Sequence, residues 1–241
     1  MYNSTPGKKI KFPPAYYADS DGLLAIGGNL APETLVQAYR SGIFPWTVHP
    51  ITWWSPDPRA VFDIDSFRLS RRLERLYRNG RFSFSIDQSF AEVIKGCAAP
   101  APGREQTWIS AEFIAAYQNL HELGIAHSCE VWLENQLAGG LYGVAIGGFF
   151  AAESMFHSVT NASNLCLRFF LNYLQNKGYV LFDSQVITPH TRRLGAIEIS
   201  RQEYLQKLAI ALKKNCQIEK IKKVSRLDFE DMVKPDIIHA K

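Results

Sequence analysis

The chain has 241 residues, 46% hydrophobic and 21% charged, a balance that excludes a disordered polypeptide and fits one domain with an appendage or two small ones. Its longest uncharged apolar stretch, residues 137–152, contains five glycines and is shorter than the ~20 apolar residues of a membrane helix; no apolar signal region opens the sequence, so no membrane partner is expected. The net charge of +4 excludes little, but it is unevenly spread: six arginines against Glu74 make residues 68–81 strongly basic, and five lysines against Glu219 do the same for residues 213–223, leaving an acidic remainder.

The first sixty residues are rich in aromatics, glycine and proline. Pro32 starts a short helix that runs through Leu35 and Tyr39 to a stop at Gly42, and the run GIFPWTVHPITWWSPDPR reads as turns. Too little of this segment is periodic for it to fold alone. A domain boundary near residue 62 separates a small N-terminal domain, 1–62, from a larger one, 63–241. Beyond it, a helix from about Ser70 to Asn79-Gly80 places Leu73, Leu76 and Tyr77 on one face and Arg71, Arg75 and Arg78 on another. Ser110 caps a helix that buries Phe113, Tyr117 and Leu120 and stops at Gly124. Strands follow near 126–133, 137–145 and 148–156, the first two joined by a turn at Glu134-Asn135. A helix over 162–177, a strand over 179–186 and a helix opened by a Ser200–Glu203 capping box complete the pattern. This order is α+β, with a mixed sheet.

Phosphate-loop, dinucleotide, nucleophile-elbow and zinc-helix motifs are all missing. Cys97, Cys129, Cys166 and Cys216 form no C-x-x-C pair, which points to free thiols in a reducing cytoplasm. Asp183-Ser184-Gln185 ends an apolar strand, and a period of two puts Asp183 and Gln185 on one face. That pair could hold an incoming amine or satisfy a loop. Glu153 interrupts the apolar run GGFFAAESMF, where a charge must be paired, face a cavity or sit at a wet edge. Trp46, Trp53, Trp54 and Trp108 lie in turn-like sequence, fit for a pocket, for base stacking or for a domain seam. Arg71, Arg72, Arg75 and Arg78 suit a solvated face or, better, a phosphate backbone that relieves their mutual repulsion. His190 reads as a loop residue.

The motifs GLLAIGGNLAPETLVQAYRSGIFPW, WWSPDPRAV, Thr107-Trp-Ile109, LHELGIAHSCEVW, GGLYG, ESMF, NAS, DSQV and HTRRLGA, in that order, resemble the leucyl/phenylalanyl-tRNA–protein transferase family nearly continuously from Gly22 to Arg201. The resemblance implies a small N-terminal domain followed by a GCN5-acetyltransferase-like domain with a mixed, mostly antiparallel sheet. It also implies a cytoplasmic bacterial enzyme, expected as a monomer, that needs no metal or other cofactor. Such an enzyme moves Leu or Phe from aminoacyl-tRNA to proteins with N-terminal Arg or Lys, marking them for the N-end-rule pathway and the Clp protease. By the same resemblance Asp183, Gln185 and Glu153 are catalytic, while Trp46, Trp108, Leu141, Phe150 and Phe182 surround the aminoacyl side chain and terminal adenosine. In the mechanism expected from these matches, Asp183 polarises Gln185, whose carbonyl holds the amine, and Glu153 orients the ester or ribose. Ala152, Asn164 and Arg192-Arg193-Leu194 depart from the family pattern. Two rivals remain: an acyl-CoA-dependent acetyltransferase, which would need a glycine-rich pyrophosphate loop, and a tRNA-binding protein without catalysis.

Overall fold

A computed structural model of the chain describes residues 10–100 and 107–233. A 3-10 turn at Ala15–Tyr17 precedes β1 (Leu23–Ile26), α1 (Pro32–Arg40), β2 (Phe44–Val48), β3 (Ile51–Trp54) and β4 (Arg59–Phe62). Then come α2 (Arg71–Arg78), β5 (Phe82–Ile86), α3 (Phe90–Ala98), α4 (Ala111–Glu122), β6 (Ala126–Leu133), β7 (Gln136–Ile146) and β8 (Phe149–His157). The chain continues through α5 (Ala162–Asn176), β9 (Leu181–Gln185), α6 (Pro189–Arg193), β10 (Ile197–Ile199), α7 (Arg201–Ala211), β11 (Ile221–Ser225) and α8 (Arg226–Val233).

Among the described residues the strands form two sheets. The small one has the order β1-β3-β2, and the large one the order β10-β4-β9-β8-β7-β6-β5-β11. Only β8 and β9 run parallel in the large sheet; its other pairings are antiparallel. The fold is thus a small N-terminal unit and a larger α+β unit, as the order of elements predicts, with a mostly antiparallel sheet, as the family resemblance implies. β4, just ahead of the boundary expected at residue 62, pairs with β9 and β10 of the large sheet. No helix of the described residues is long and apolar enough to cross a membrane.

Apolar residues on the two faces of the large sheet feed two clusters, and strand alternation decides which. Phe149 and Ala151 join α1, α3, α4 and α7 in one, while Phe150, Leu141 and Phe182 join α5 and Phe229 of α8 in the other. The helices expected at Pro32, Ser70, Ser110, Ala162 and Ser200 are present, and Ser70, Ser110 and Ser200 each accept a hydrogen bond from the backbone of the third helical residue. Glu134 and Asn135 both take the left-handed conformation at the β6–β7 turn, which suits a two-residue hairpin. One expectation changes: the run from Gly42 to Arg59 contains strands β2 and β3 paired as a hairpin. Pro45 and Pro50 mask it in the sequence, because a proline weakens any strand pattern.

Candidate active site

The site begins with a buried ion pair. β4 runs beside β9 in a register that opposes Val61 to Asp183, and Arg59 and Asp183 are 1% and 0% exposed. Arg59 Nε donates to Asp183 Oδ1 at 2.9 Å and a terminal nitrogen donates to Oδ2 at 2.7 Å. Tyr204 of α7 donates to Oδ2 at 2.8 Å, and the Gln185 backbone N–H donates to Oδ1 at 2.9 Å. Two donors on each oxygen fill the carboxylate's acceptor sites. The guanidinium also lies 4.8 Å from the Phe44 ring and 4.4 Å from the Tyr204 ring and reaches the Gly42 carbonyl. Burial disfavours its charge, but the Asp183 carboxylate prevails and its pKa rises. Gly42 is required here: its φ is +76°, and a Cβ would lie 2.6 Å from the Leu205 side chain.

Two backbone irregularities turn side chains inward from this pair. Gln185, at the end of β9, has a φ of 57°, a conformation that costs a non-glycine residue about 1–3 kcal/mol. The Asp183 carboxylate holds it there through the Gln185 N–H. On β8 the register passes from Gly143↔Ala152 to Tyr142↔Ser154, so Glu153 is the extra residue of a β-bulge with no partner on β7. After it the alternation reverses, Met155 packing with the α5 side and Phe156 with the α3 side. The β8–β9 ladder ends at Ala151↔Asp183. Just beyond that end the Gln185 Nε2 donates to Glu153 Oε1 at 2.9 Å.

Glu153 closes a chain of short contacts with two phenols. Tyr39 Oη lies 2.8 Å from Glu153 Oε1, Tyr117 Oη lies 2.8 Å from Oε2, and the two phenol oxygens are 2.5 Å apart. Three oxygen–oxygen contacts need three protons, and two phenols supply two. Burial holds both phenol protons, with the negative field of Glu153 acting in the same direction. The third proton is supplied if Glu153 is neutral. Its carboxyl is pushed up to about 7, chiefly by burial and further by Asp183, while the two tyrosine hydroxyls and Arg59 act the other way. As a whole residue Glu153 is only partly buried.

Asp183, Gln185 and Glu153 therefore meet in space, in a different arrangement from the expected one. The Asp183 carboxylate contacts the Gln185 backbone, whereas the Gln185 carboxamide is turned to Glu153. The physical reason is the left-handed φ at Gln185, which breaks the strand's period of two. The five residues expected around a pocket are divided. Trp46, 36% exposed on β2, lies against Phe44 and Trp54, and Trp108 packs edge-on against Phe113 of α4, which neighbours Tyr117. Leu141, Phe150 and Phe182 are buried in the α5 cluster, with Phe150 stacked on Phe182 at 5.4 Å and edge-on to Phe170 at 4.8 Å. Gly143 accommodates that ring, since a Cβ there would stand 2.7 Å from it. Arg71, Arg72, Arg75 and Arg78 are exposed on α2, and among the described residues only Arg78 of these four bonds a carboxylate, Glu74 at 3.1 Å.

Arg59, Tyr39, Tyr117 and Tyr204 escape the sequence reading. The tyrosines occupy apolar helical positions that look like ordinary core. Arg59 carried a usable signal, since a cation opening the apolar strand Arg59–Phe62 needs a partner as much as Glu153 does.

The model of the family described as leucyl/phenylalanyl-tRNA protein transferase matches residues 61–209, and the model of that family's N-terminal domain matches residues 28–57. Among curated relatives, a protein of Idiomarina loihiensis named leucyl/phenylalanyl-tRNA–protein transferase is 48% identical over 209 residues, covering 85% of this chain and 89% of its own. One of Alkalilimnicola ehrlichii with the same name is 50% identical over 206 residues, covering 83% and 80%. Among solved structures, the L-PGS of Bacillus licheniformis aligns with a TM-score of 0.41 at 10% identity, over 73% of this chain and 63% of that one.

Proposed function

Because the chain belongs to the leucyl/phenylalanyl-tRNA protein transferase family, we propose that it moves leucine or phenylalanine from aminoacyl-tRNA to the α-amino group of another protein. The acceptors are proteins with N-terminal arginine or lysine, and the product enters N-end-rule degradation in the bacterial cytoplasm. The observation that carries the chemistry is the Glu153–Gln185 contact, which joins a group that can exchange a proton near neutrality to a carboxamide at the open end of a strand pair.

The reaction is aminolysis of an ester. An α-amine has a pKa near 8, so a base near neutrality removes its proton with little cost. The amine N–H donates to Gln185 Oε1, which accepts no hydrogen bond among the described residues. The nitrogen attacks the ester carbonyl carbon, the bond to the ribose oxygen breaks, and ionised Glu153 takes the amine proton and returns it to that oxygen. Tyr39 and Tyr117 hold both carboxyl oxygens during the exchange. Asp183 is a positioning residue: fully buried and saturated with donors, it fixes Arg59, Tyr204 and the Gln185 backbone. Trp46 and Trp108 offer aromatic surface for the adenosine, and Leu141, Phe150 and Phe182, packed in the α5 cluster, supply the apolar backing that favours Leu and Phe over charged side chains. The experiment is transfer of labelled leucine from leucyl-tRNA to a protein with N-terminal arginine. Incorporation dependent on that arginine is expected; none with a folded enzyme would refute the reading.

A further inference from the structure

The segment that leads into α2, Asn164 of α5, and α6 enclose a pocket of about 200 Å³ lined by Arg68, Ser70, Asn164, His190 and Arg193, with leucines completing the wall. Its charge is of one sign. Arg68 donates one terminal nitrogen to the backbone carbonyls of Asp65 and Phe67, and neither it nor Arg193 pairs with a carboxylate among the described residues. No acidic side chain lines the pocket. The imidazole of His190 is pushed toward its neutral form by burial first, then by Arg193 and His157. Two guanidiniums without a carboxylate partner in one pocket repel each other unless an anion joins them, and the planar donors of arginine match a phosphate group.

Position selects the kind of phosphate. Arg193 and His190 stand on α6, which directly follows β9, so His190 is five residues beyond Gln185. Five residues of chain span at most about 18 Å, which places the pocket within a few nucleotides of an ester held at Glu153 and Gln185. On the other side the pocket continues into the exposed arginines of α2. We infer that this pocket binds a backbone phosphate of the unpaired 3′ end of the donor tRNA, between the reacting ester and the base-paired acceptor arm on α2. The inference rests on the aminoacyl-tRNA reading above and extends it to a site for one diester.

The test compares two donors, leucyl-adenosine, which carries no phosphate, and the leucyl ester of cytidylyl-cytidylyl-adenosine. Arg193→Ala, alone and with Arg68→Ala, should raise KM for the trinucleotide donor about tenfold with kcat kept, and leave both parameters on leucyl-adenosine unchanged. The slope of log KM against log salt should fall by about 0.7 for each lost contact. Direct titration with the uncharged trinucleotide should show the same weakening with no turnover involved. Equal losses on both donors, or no loss on the trinucleotide, would overturn the assignment, as would a wild-type protein that binds inorganic phosphate as tightly as the trinucleotide. If the wild type used neither donor, the transferase reading would fail, and the titration alone would decide the pocket.

Discussion

Glu153→Gln isolates the proton count at the centre of the site. A carboxamide has the shape of a neutral carboxyl and can rebuild the chain of contacts, its N–H donating to Tyr117, Tyr117 to Tyr39, and Tyr39 to its carbonyl. What it cannot do is ionise. In the folded wild type Glu153 keeps its proton up to about pH 7, against an ordinary value of 4.5. Between those values the folded state binds more protons than the unfolded chain, so this group's contribution makes stability fall as pH rises through the window. At ~1.4 kcal/mol per pH unit the full effect is about 3 kcal/mol; partial exposure reduces it to about 2 kcal/mol. For a chain of this size 1 kcal/mol moves Tm by about 2–4 °C. The Tm advantage of the variant over wild type should therefore grow by about 4–8 °C between pH 4.5 and pH 8, measured by calorimetry on both proteins so that all other titrations cancel. Turnover should drop at least about 100-fold, the scale of a lost proton-transfer group. A Tm difference that is the same at both pH values would show that Glu153 is ionised throughout, and the three-proton chain would be wrong.

Asp183→Asn should cost about 3–5 kcal/mol in urea denaturation, because it leaves the Arg59 cation buried without a counter-charge, and turnover should fall with it; an unchanged midpoint would refute the ion pair's role. Tyr117→Phe removes a hydroxyl that favours ionised Glu153, so the acid limb of the kcat profile should move to higher pH, whereas a limb that stays in place or moves down would exclude Glu153 as its source. Phe150→Ala empties a fully buried ring site and should cost about 3–5 kcal/mol along with weaker use of leucyl-tRNA; a stability loss below about 1 kcal/mol would show that the ring is not core. Arg71→Ala with Arg75→Ala should raise KM for both leucyl- and phenylalanyl-tRNA and lower the salt slope by up to about one unit per contact, leaving rates on leucyl-adenosine unchanged. Equal damage on both kinds of donor would assign this face of α2 to stability.

Local physics made much of the fold readable and left out what depends on distant partners. Ser70, Ser110 and Ser200 announce helices because an N-cap is a contact within one turn, and Glu134-Asn135 announces a hairpin because its conformation is set by two residues. Glu153 stood out as a charge in an apolar run, and Asp183 with Gln185 as polar residues at the end of one. Their partners could not be read in the same way. Arg59 meets Asp183 across 124 residues and Tyr39 meets Glu153 across 114, and neither encounter leaves a mark in the intervening sequence. β5 and α3 were missed for smaller reasons. The first is five residues long; the second contains Gly96, which looks like a helix breaker but sits where a Cβ would lie 2.7 Å from the Phe156 ring.

The two departures from regular geometry explain why Asp183, Gln185 and Glu153 meet, but not through the link expected of them. An uninterrupted β9 would keep Asp183 and Gln185 on one face, and the natural inference is then that the carboxylate acts on the carboxamide. In the fold the two side chains part company at the left-handed residue: the carboxylate stays under the sheet with Arg59 and Tyr204, and the carboxamide swings to β8. The bulge answers from the other strand, giving Glu153 a place outside the β7 ladder where it can face both Gln185 and the two phenols. Division of labour follows from that geometry. In the mechanism proposed above, the charge that stays fixed, Asp183, is saturated by four donors and buried, while the charge that changes, Glu153, is held by two phenols and a carboxamide where the ladder ends. A base built at Asp183 would have to shed its bond to Arg59 before it could accept a proton; at Glu153 the proton needs only to move along hydrogen bonds already made.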